Sequence, residues 1–193
     1  MARLWDLFLA SILSQNIALI FILGMCSLIA VSTSIKNALN MGLAVVLVVT
    51  VTAIINWPIY ELLKATNTTN LALLVFMITI AATVQIMELA IEKFLPKVYN
   101  SFGIYLPLIT VNCVVLAISL FFMTRDYSFA ETAVYSFGSG VGWLLAIVLL
   151  AGIRIKMNEI SNIPKGLKGK AISFIILGIL ALAFFAFTGI GSA

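Results

Sequence analysis

Two thiols stand in some of the most apolar stretches of this chain. Cys26 closes the run Asn16-Ile-Ala-Leu-Ile-Phe-Ile-Leu-Gly-Met-Cys26, and Cys113 closes Leu106-Pro107-Leu-Ile-Thr110-Val-Asn112-Cys113. Thiolate sulfur is a soft ligand, suited to iron–sulfur clusters, zinc or copper(I). A [2Fe–2S] cluster takes four cysteine thiolates, and the chain has 2 cysteines. A full set then needs a second copy of the chain, or a related partner with its own pair. An isolated cysteine in an apolar helix is ordinarily small filler, and a disulfide between these two would have no evident use. What separates the pair from filler is its placement, which depends on the elements that carry it.

Those elements are membrane helices. Hydrophobic residues make up 63% of the 193, and charged residues only 9%, against roughly a quarter in soluble domains. Apolar runs long enough to cross about 30 Å of hydrocarbon recur along the whole sequence. They predict an all-α integral membrane protein of one domain, residues 1–193, with six spans near 5–35, 38–62, 70–94, 103–123, 129–155 and 170–190. The first run carries Asp6 and no small-residue cleavage site follows it, so it is expected to stay as a helix. Polar turns at Asn67–Asn70 and at Pro164, Gly166 and Gly169 separate spans, and Ser128 with Glu131 fits a capping box.

Orientation follows from the basic residues. Of the 11 Lys and Arg, all but Arg3, Lys64 and Arg125 fall in the first, third and fifth connections. Positive charge stays on the cytoplasmic side, so both termini are expected outside. The net charge of +4 reads as this topology signal and not as a nucleic-acid surface. With no histidine present, imidazole ligation of haem or metal is excluded.

The two halves of the chain share an order of features. Residues 16–26 align without a gap to 103–113, ending on cysteine in both, and a glycine-bearing apolar helix and a further apolar helix follow each. Three spans per half reverse the direction of the second half. The prediction is two inverted three-helix repeats, about 1–97 and about 98–193, with functional groups near the midplane at their interface. Both first helices look breakable: Ser14-Gln15-Asn16 interrupts the one, and Pro107 removes a backbone donor from the other. Cys26 is the tenth residue after Asn16 and Cys113 the tenth after Gly103, which puts both thiols near the bilayer centre.

Other polar residues carry weaker signals. Asn112 and Thr110 are placed to tune a site at Cys113, or simply to hydrogen-bond between helices. Gln85, Glu88 and Glu92 share a face of the third span, where the acids are functional suspects, interfacial anchors or partners of Lys93. Gly138, Gly140 and Gly142 suit close helix contact, and Trp5, Trp57 and Tyr60 an outer aromatic belt.

The stretches NIALIFILGMCSLIAVS, GIYLPLITVNC, RDYSFAETAVYSFGSGVGWLLAIVLLAGIR and IPKGLKGKAISFI resemble one family over nearly the whole chain. It comprises the E subunit of the sodium-translocating NADH:quinone oxidoreductase (Nqr) and the A subunit of the Rnf ferredoxin:NAD complex, which shares the LPLITxNC motif. RDYSFAE and GSGVGW favour the NADH:quinone enzyme. The resemblance implies pairing with the homologous D subunit, of opposite orientation, in the bacterial inner membrane, both termini being periplasmic. It implies that Cys26 and Cys113 hold iron of a [2Fe–2S] cluster between the two proteins, with flavins on other subunits. The whole complex would pass electrons from NADH to quinone while exporting Na+, and this chain would hold no catalytic residue of its own. Gln15 stands where the family pattern has a glutamate, so no carboxylate role carries over there. Two readings of other classes remain: a secondary transporter without a redox centre, and a scaffold whose cysteines merely pack.

Overall fold

A chain with 12 glycines and so few charges must build its core from helix contacts that exclude lipid, not from a hydrophobic face turned away from water. The computed structural model of the chain describes residues 2–66, 71–94, 109, 112–160 and 169–188. Among these the structure is all helical, with no strand. The helices are α1 (Ala2–Ile12), α2 (Met25–Val31), α3 (Ile35–Ala65), α4 (Ala72–Phe94), α5 (Cys113–Thr124), α6 (Phe129–Ile160) and α7 (Lys170–Thr188). Three of them, α3, α4 over Ala72–Ala90 and α6 over Phe129–Glu159, are long and apolar enough to cross a membrane. The turns expected at Asn67–Asn70 and at Pro164 and Gly166 lie outside the described residues, as do Pro107 and Thr110.

The first expected span is divided. α1 ends at Ile12, residues 13–24 are not α-helical, and α2 resumes at Met25. The intervening segment makes its own turns, with Ile20 N donating to Asn16 O at 2.9 Å and Leu23 N to Ile17 O at 3.2 Å. Ile22 takes a φ of 55° there, a conformation that a β-branched residue adopts only under strain. α5 begins afresh at Cys113, capped by Asn112 in extended conformation.

Helix directions can be read from side-chain contacts. Arg3 pairs with Glu131, Phe8 stacks on Phe137 and Asn16 bonds to Gly142, so α1 runs parallel to the first half of α6. Gly42 meets Leu144, Gly140 meets Val46 and Trp57 meets Phe129, so α3 runs antiparallel to α6. Asn56 bonds to Ser119, and Tyr60 reaches Met123, so α3 and α5 run together. A Cβ on Gly140 would come within 3.0 Å of the Val46 backbone; bare glycine lets the two long helices touch.

Tyr60 stands near the end of α3. It is buried, and its hydroxyl donates to Asp126 Oδ1 at 2.9 Å. Lys64 Nζ donates to the same oxygen at 3.0 Å, and Trp57 Nε1 donates to Tyr127 O at 3.1 Å. Together these bonds fasten the α5–α6 turn to the end of α3. Half of the expected capping box forms: Glu131 Oε2 accepts from Ser128 N, while the serine hydroxyl donates to the same oxygen. Glu88 and Lys93 do not pair; the two ion pairs among the described residues are Arg3–Glu131 and Lys64–Asp126.

Two outcomes follow from this packing. Gly140→Ala is expected to lower stability by about 1–3 kcal/mol through overpacking. Gly152→Ala on the same helix, where nothing lies within 4 Å, should stabilise by up to about 1 kcal/mol; thermal unfolding in detergent compares the two. The hydrogen bond from Lys64, then that from Tyr60 and the Lys64 charge, hold the Asp126 carboxyl below the usual aspartate range. Its stabilisation is therefore full above the unfolded aspartate pKa and is lost as pH falls through the lower folded value. Asp126→Asn should flatten the stability–pH curve on that acid side, by a small amount because both partners are largely exposed.

Candidate functional site

An interrupted helix leaves carbonyls at one end and amides at the next without intrahelical partners, which an apolar medium cannot supply. Asn16 meets this need at the end of α1. Its side chain is fully buried. Nδ2 donates to Ile12 O and to Gly142 O, both at 2.9 Å, and Oδ1 accepts from Ala18 N at 3.0 Å and Leu19 N at 3.3 Å. The whole hydrogen-bonding capacity of the amide is used. Gly142 makes room for it: a Cβ there would stand 3.0 Å from Asn16 Nδ2 and 3.2 Å from Ile12 O. Beside it, Arg125 Nη1 donates to Gln15 Oε1.

The two resumed helices meet at their starts. Gly24, the N-cap of α2, takes φ 80°, which glycine adopts without strain. A Cβ on it would come within 2.9 Å of Trp143 Nε1 and 3.3 Å of Asn112 Oδ1, so the N-cap of α2 lies against the N-cap of α5. From this junction the helices part. α2 ends at Arg154 on the far half of α6, where Nη1 donates to Ile29 O and Ser32 Oγ. α5 ends at the turn that starts α6. The junction itself sits beside Trp143, midway along α6.

Cys26 is the second residue of α2 and Cys113 the first of α5; both are free and exposed. Two sequence-identified thiols, 87 positions apart by subtraction, thus fall at the starts of two helices whose caps touch. They stand at helix starts, not within continuous helices. Among the described residues no group of three or more His, Cys, Asp or Glu comes together, so a four-thiolate set cannot be completed within them.

Asn112 is 5% exposed and caps α5 by accepting from Val114 N at 3.1 Å, but its Nδ2 is buried without a partner, and so is Trp143 Nε1. The sequence reading singled out Asn112 and missed Trp143 and Gly24. A signal for Trp143 was available: tryptophan belongs at membrane interfaces, and one in mid-span needs a partner for its N–H. Nearer the start of α6, Thr132 presents a buried hydroxyl without a partner, as does Thr52 on α3, while the buried hydroxyls of Tyr135 and Ser139 lie one turn apart and face each other.

The family described as Rnf-Nqr subunit, membrane protein, matches residues 4–191. The chain is 44% identical over 201 residues to the E subunit of a Na(+)-translocating NADH-quinone reductase from Maridesulfovibrio salexigens, covering 98% of this chain and 99% of that one. It is 47% identical over 191 residues to a protein of the same name from Neisseria meningitidis serogroup C, covering 96% of each. To that of Alcanivorax borkumensis it is 44% identical over 199 residues, again covering 96% of each.

The Asn16 contact yields a sharp outcome. Asn16→Leu strands two carbonyls and two amides at about 1–3 kcal/mol each, so the yield of folded protein in detergent should collapse. Gln15→Leu, which removes one bond at a half-buried residue, should leave most of it intact.

Proposed function

The chain belongs to the Rnf-Nqr family of membrane-protein subunits, and on that premise we propose that it is the E-type subunit of a sodium-pumping NADH:quinone oxidoreductase. In this reading Cys26 and Cys113 supply half the thiolate ligands of an intramembrane [2Fe–2S] cluster. The observation that carries it is the junction of α2 and α5, where two exposed thiols stand at helix starts whose caps are in contact. A cluster bound there would supply one-electron transfer within the membrane. The other two thiolates come from a homologous, inverted partner of the D type, and flavins reside on other subunits.

The same contacts support two inverted three-helix repeats in a six-span chain. α2 and α5 diverge in opposite directions from one point, as pseudo-symmetric half-helices do. Charge asymmetry supports periplasmic termini in the bacterial inner membrane. The chain's own residues hold the two thiols at a fixed separation: Asn16 seals the end of α1, Arg154 fixes the end of α2 and Asn112 caps α5. The coupling of electron flow to Na+ export we assign to the complex as a whole. Thr110, read as a neighbour of the site, lies outside the described residues.

In the purified complex, Cys26→Ala and Cys113→Ala should each lower bound iron and abolish the paramagnetic signal of a reduced [2Fe–2S] centre. Retention of full iron and quinone reductase activity by both variants would refute the ligand assignment and favour packing cysteines. Oxidation of ferredoxin in place of NADH by the co-purified flavoproteins would move the chain to the Rnf branch.

A further inference from the structure

Arg125 caps the end of α5 farthest from Cys113, yet its half-buried side chain folds back along the helix toward the thiols. Long cationic side chains at a span end ordinarily extend toward water. Here Nη1 donates to Gln15 Oε1 and, at 3.0 Å, to Tyr127 Oη. The guanidinium carbon lies 5.7 Å from the centre of the Phe121 ring and 5.8 Å from that of buried Tyr135. No carboxylate neutralises it. All 7 acidic residues of the chain are among the described ones, and their ion pairs are Arg3–Glu131 and Lys64–Asp126. Asp126, the next residue, is held by Tyr60 and Lys64, and Asp6 and Glu61 are exposed. Glu88, Glu92 and Glu159 lie in the last two turns of α4 and α6, helices that approach α5 and Arg125 nearer their starts, at Phe76 and Tyr135.

The depth of this charge follows from two helices. Phe121 is eight residues from Cys113, and Tyr135 is eight from Trp143 at the junction, by subtraction. Either count is about 12 Å of helix. A guanidinium stays protonated, so a full positive charge stands within the apolar part of the protein, about 12 Å from the thiols by that rise.

We propose that Arg125 is an electrostatic residue of the Cys26–Cys113 site: its charge, left uncancelled by the neutral amide of Gln15, raises the reduction potential of the centre held there. The inference rests on the cluster reading above and extends it to a residue that does not touch the centre. Reduction adds one negative charge, and net charge around a cluster is among the factors that set its potential. A unit charge about 12 Å away, at an effective dielectric constant of about 20, changes that equilibrium by about tenfold. Burial keeps away the salt ions that screen exposed charges. Gln15 contributes twice, since its oxygen holds the guanidinium in place and its neutrality leaves the charge intact.

Redox titration of the purified complex, followed by electron paramagnetic resonance with iron measured in parallel, tests this with three variants. Arg125→Gln removes the charge. Gln15→Glu keeps an acceptor for Nη1 and cancels the charge, because the guanidinium holds a carboxylate there in its ionised form. Arg125→Lys alters the contacts and keeps the charge. The first two should retain iron and become about tenfold harder to reduce, a fall of about 59 mV for a one-electron couple, while Arg125→Lys should stay near the unsubstituted potential. An unshifted potential in Gln15→Glu with iron retained overturns the proposal and leaves the cluster reading standing. A fall in Arg125→Lys as large as that in Arg125→Gln makes Arg125 a packing contact and overturns it too, as does loss of iron from Gln15→Glu. Should Arg125→Gln fail to fold, Gln15→Glu alone decides. Absence of iron from the unsubstituted complex sinks the cluster reading and this proposal together.

Discussion

Stopping a helix inside an apolar medium is unfavourable unless every freed backbone group finds a partner, and the arrangement of this protein depends on how Asn16 supplies them. One amide takes two carbonyls and gives to two backbone N–H groups. Because one of those carbonyls belongs to Gly142, the same side chain that ends α1 also fixes its distance from α6. Residues 13–24 can then cross without helical structure, and α2 can start where α5 starts. Without that contact the first span would be either a continuous helix, with Cys26 along its side, or an exposed break.

The two long helices α3 and α6 form the frame on which the break is built. Their antiparallel contact uses glycine from both sides, at Gly42 against Leu144 and at Gly140 against Val46. Close backbone approach is the main source of helix association where lipid is as apolar as the side chains. Polar groups add specificity to that contact: Asn56 joins α3 to α5 and α4 by bonding Ser119 at 2.9 Å and accepting from Thr79 at 2.7 Å. The outer faces of α4 and α7 are the reverse case, with Ile78, Ile86, Ile179 and Leu182 exposed, as expected of surfaces that meet hydrocarbon. The Rnf-Nqr family assignment and the apolar helices agree on a membrane-embedded protein.

Much of this was legible from residue types. Four of the expected spans correspond to α3, α4, α6 and α7 within a few residues, because continuous apolar runs between charges have few alternatives. The first break was legible as well, since Ser14-Gln15-Asn16 interrupts an otherwise unbroken apolar stretch. Glu88 and Lys93 show the limit of such reasoning: proximity in sequence on one helix did not make them a pair. Tyr60 shows another: its place near a span end was legible, but the bond of its hydroxyl to Asp126, 66 positions away, was not.

By itself the sequence determined the all-helical membrane class of the protein, its long apolar helices, its charge asymmetry and the two thiols, because hydropathy and residue chemistry are local properties. Only the tertiary structure decided that the thiols stand at the starts of helices whose caps touch, that Gly142 receives Asn16, and that Trp143 and Asn112 lie buried against the same glycine. Those facts are distances between residues up to 126 positions apart. They arise from the antiparallel register of α3 and α6 and the parallel one of α1 and α6, which no local pattern encodes.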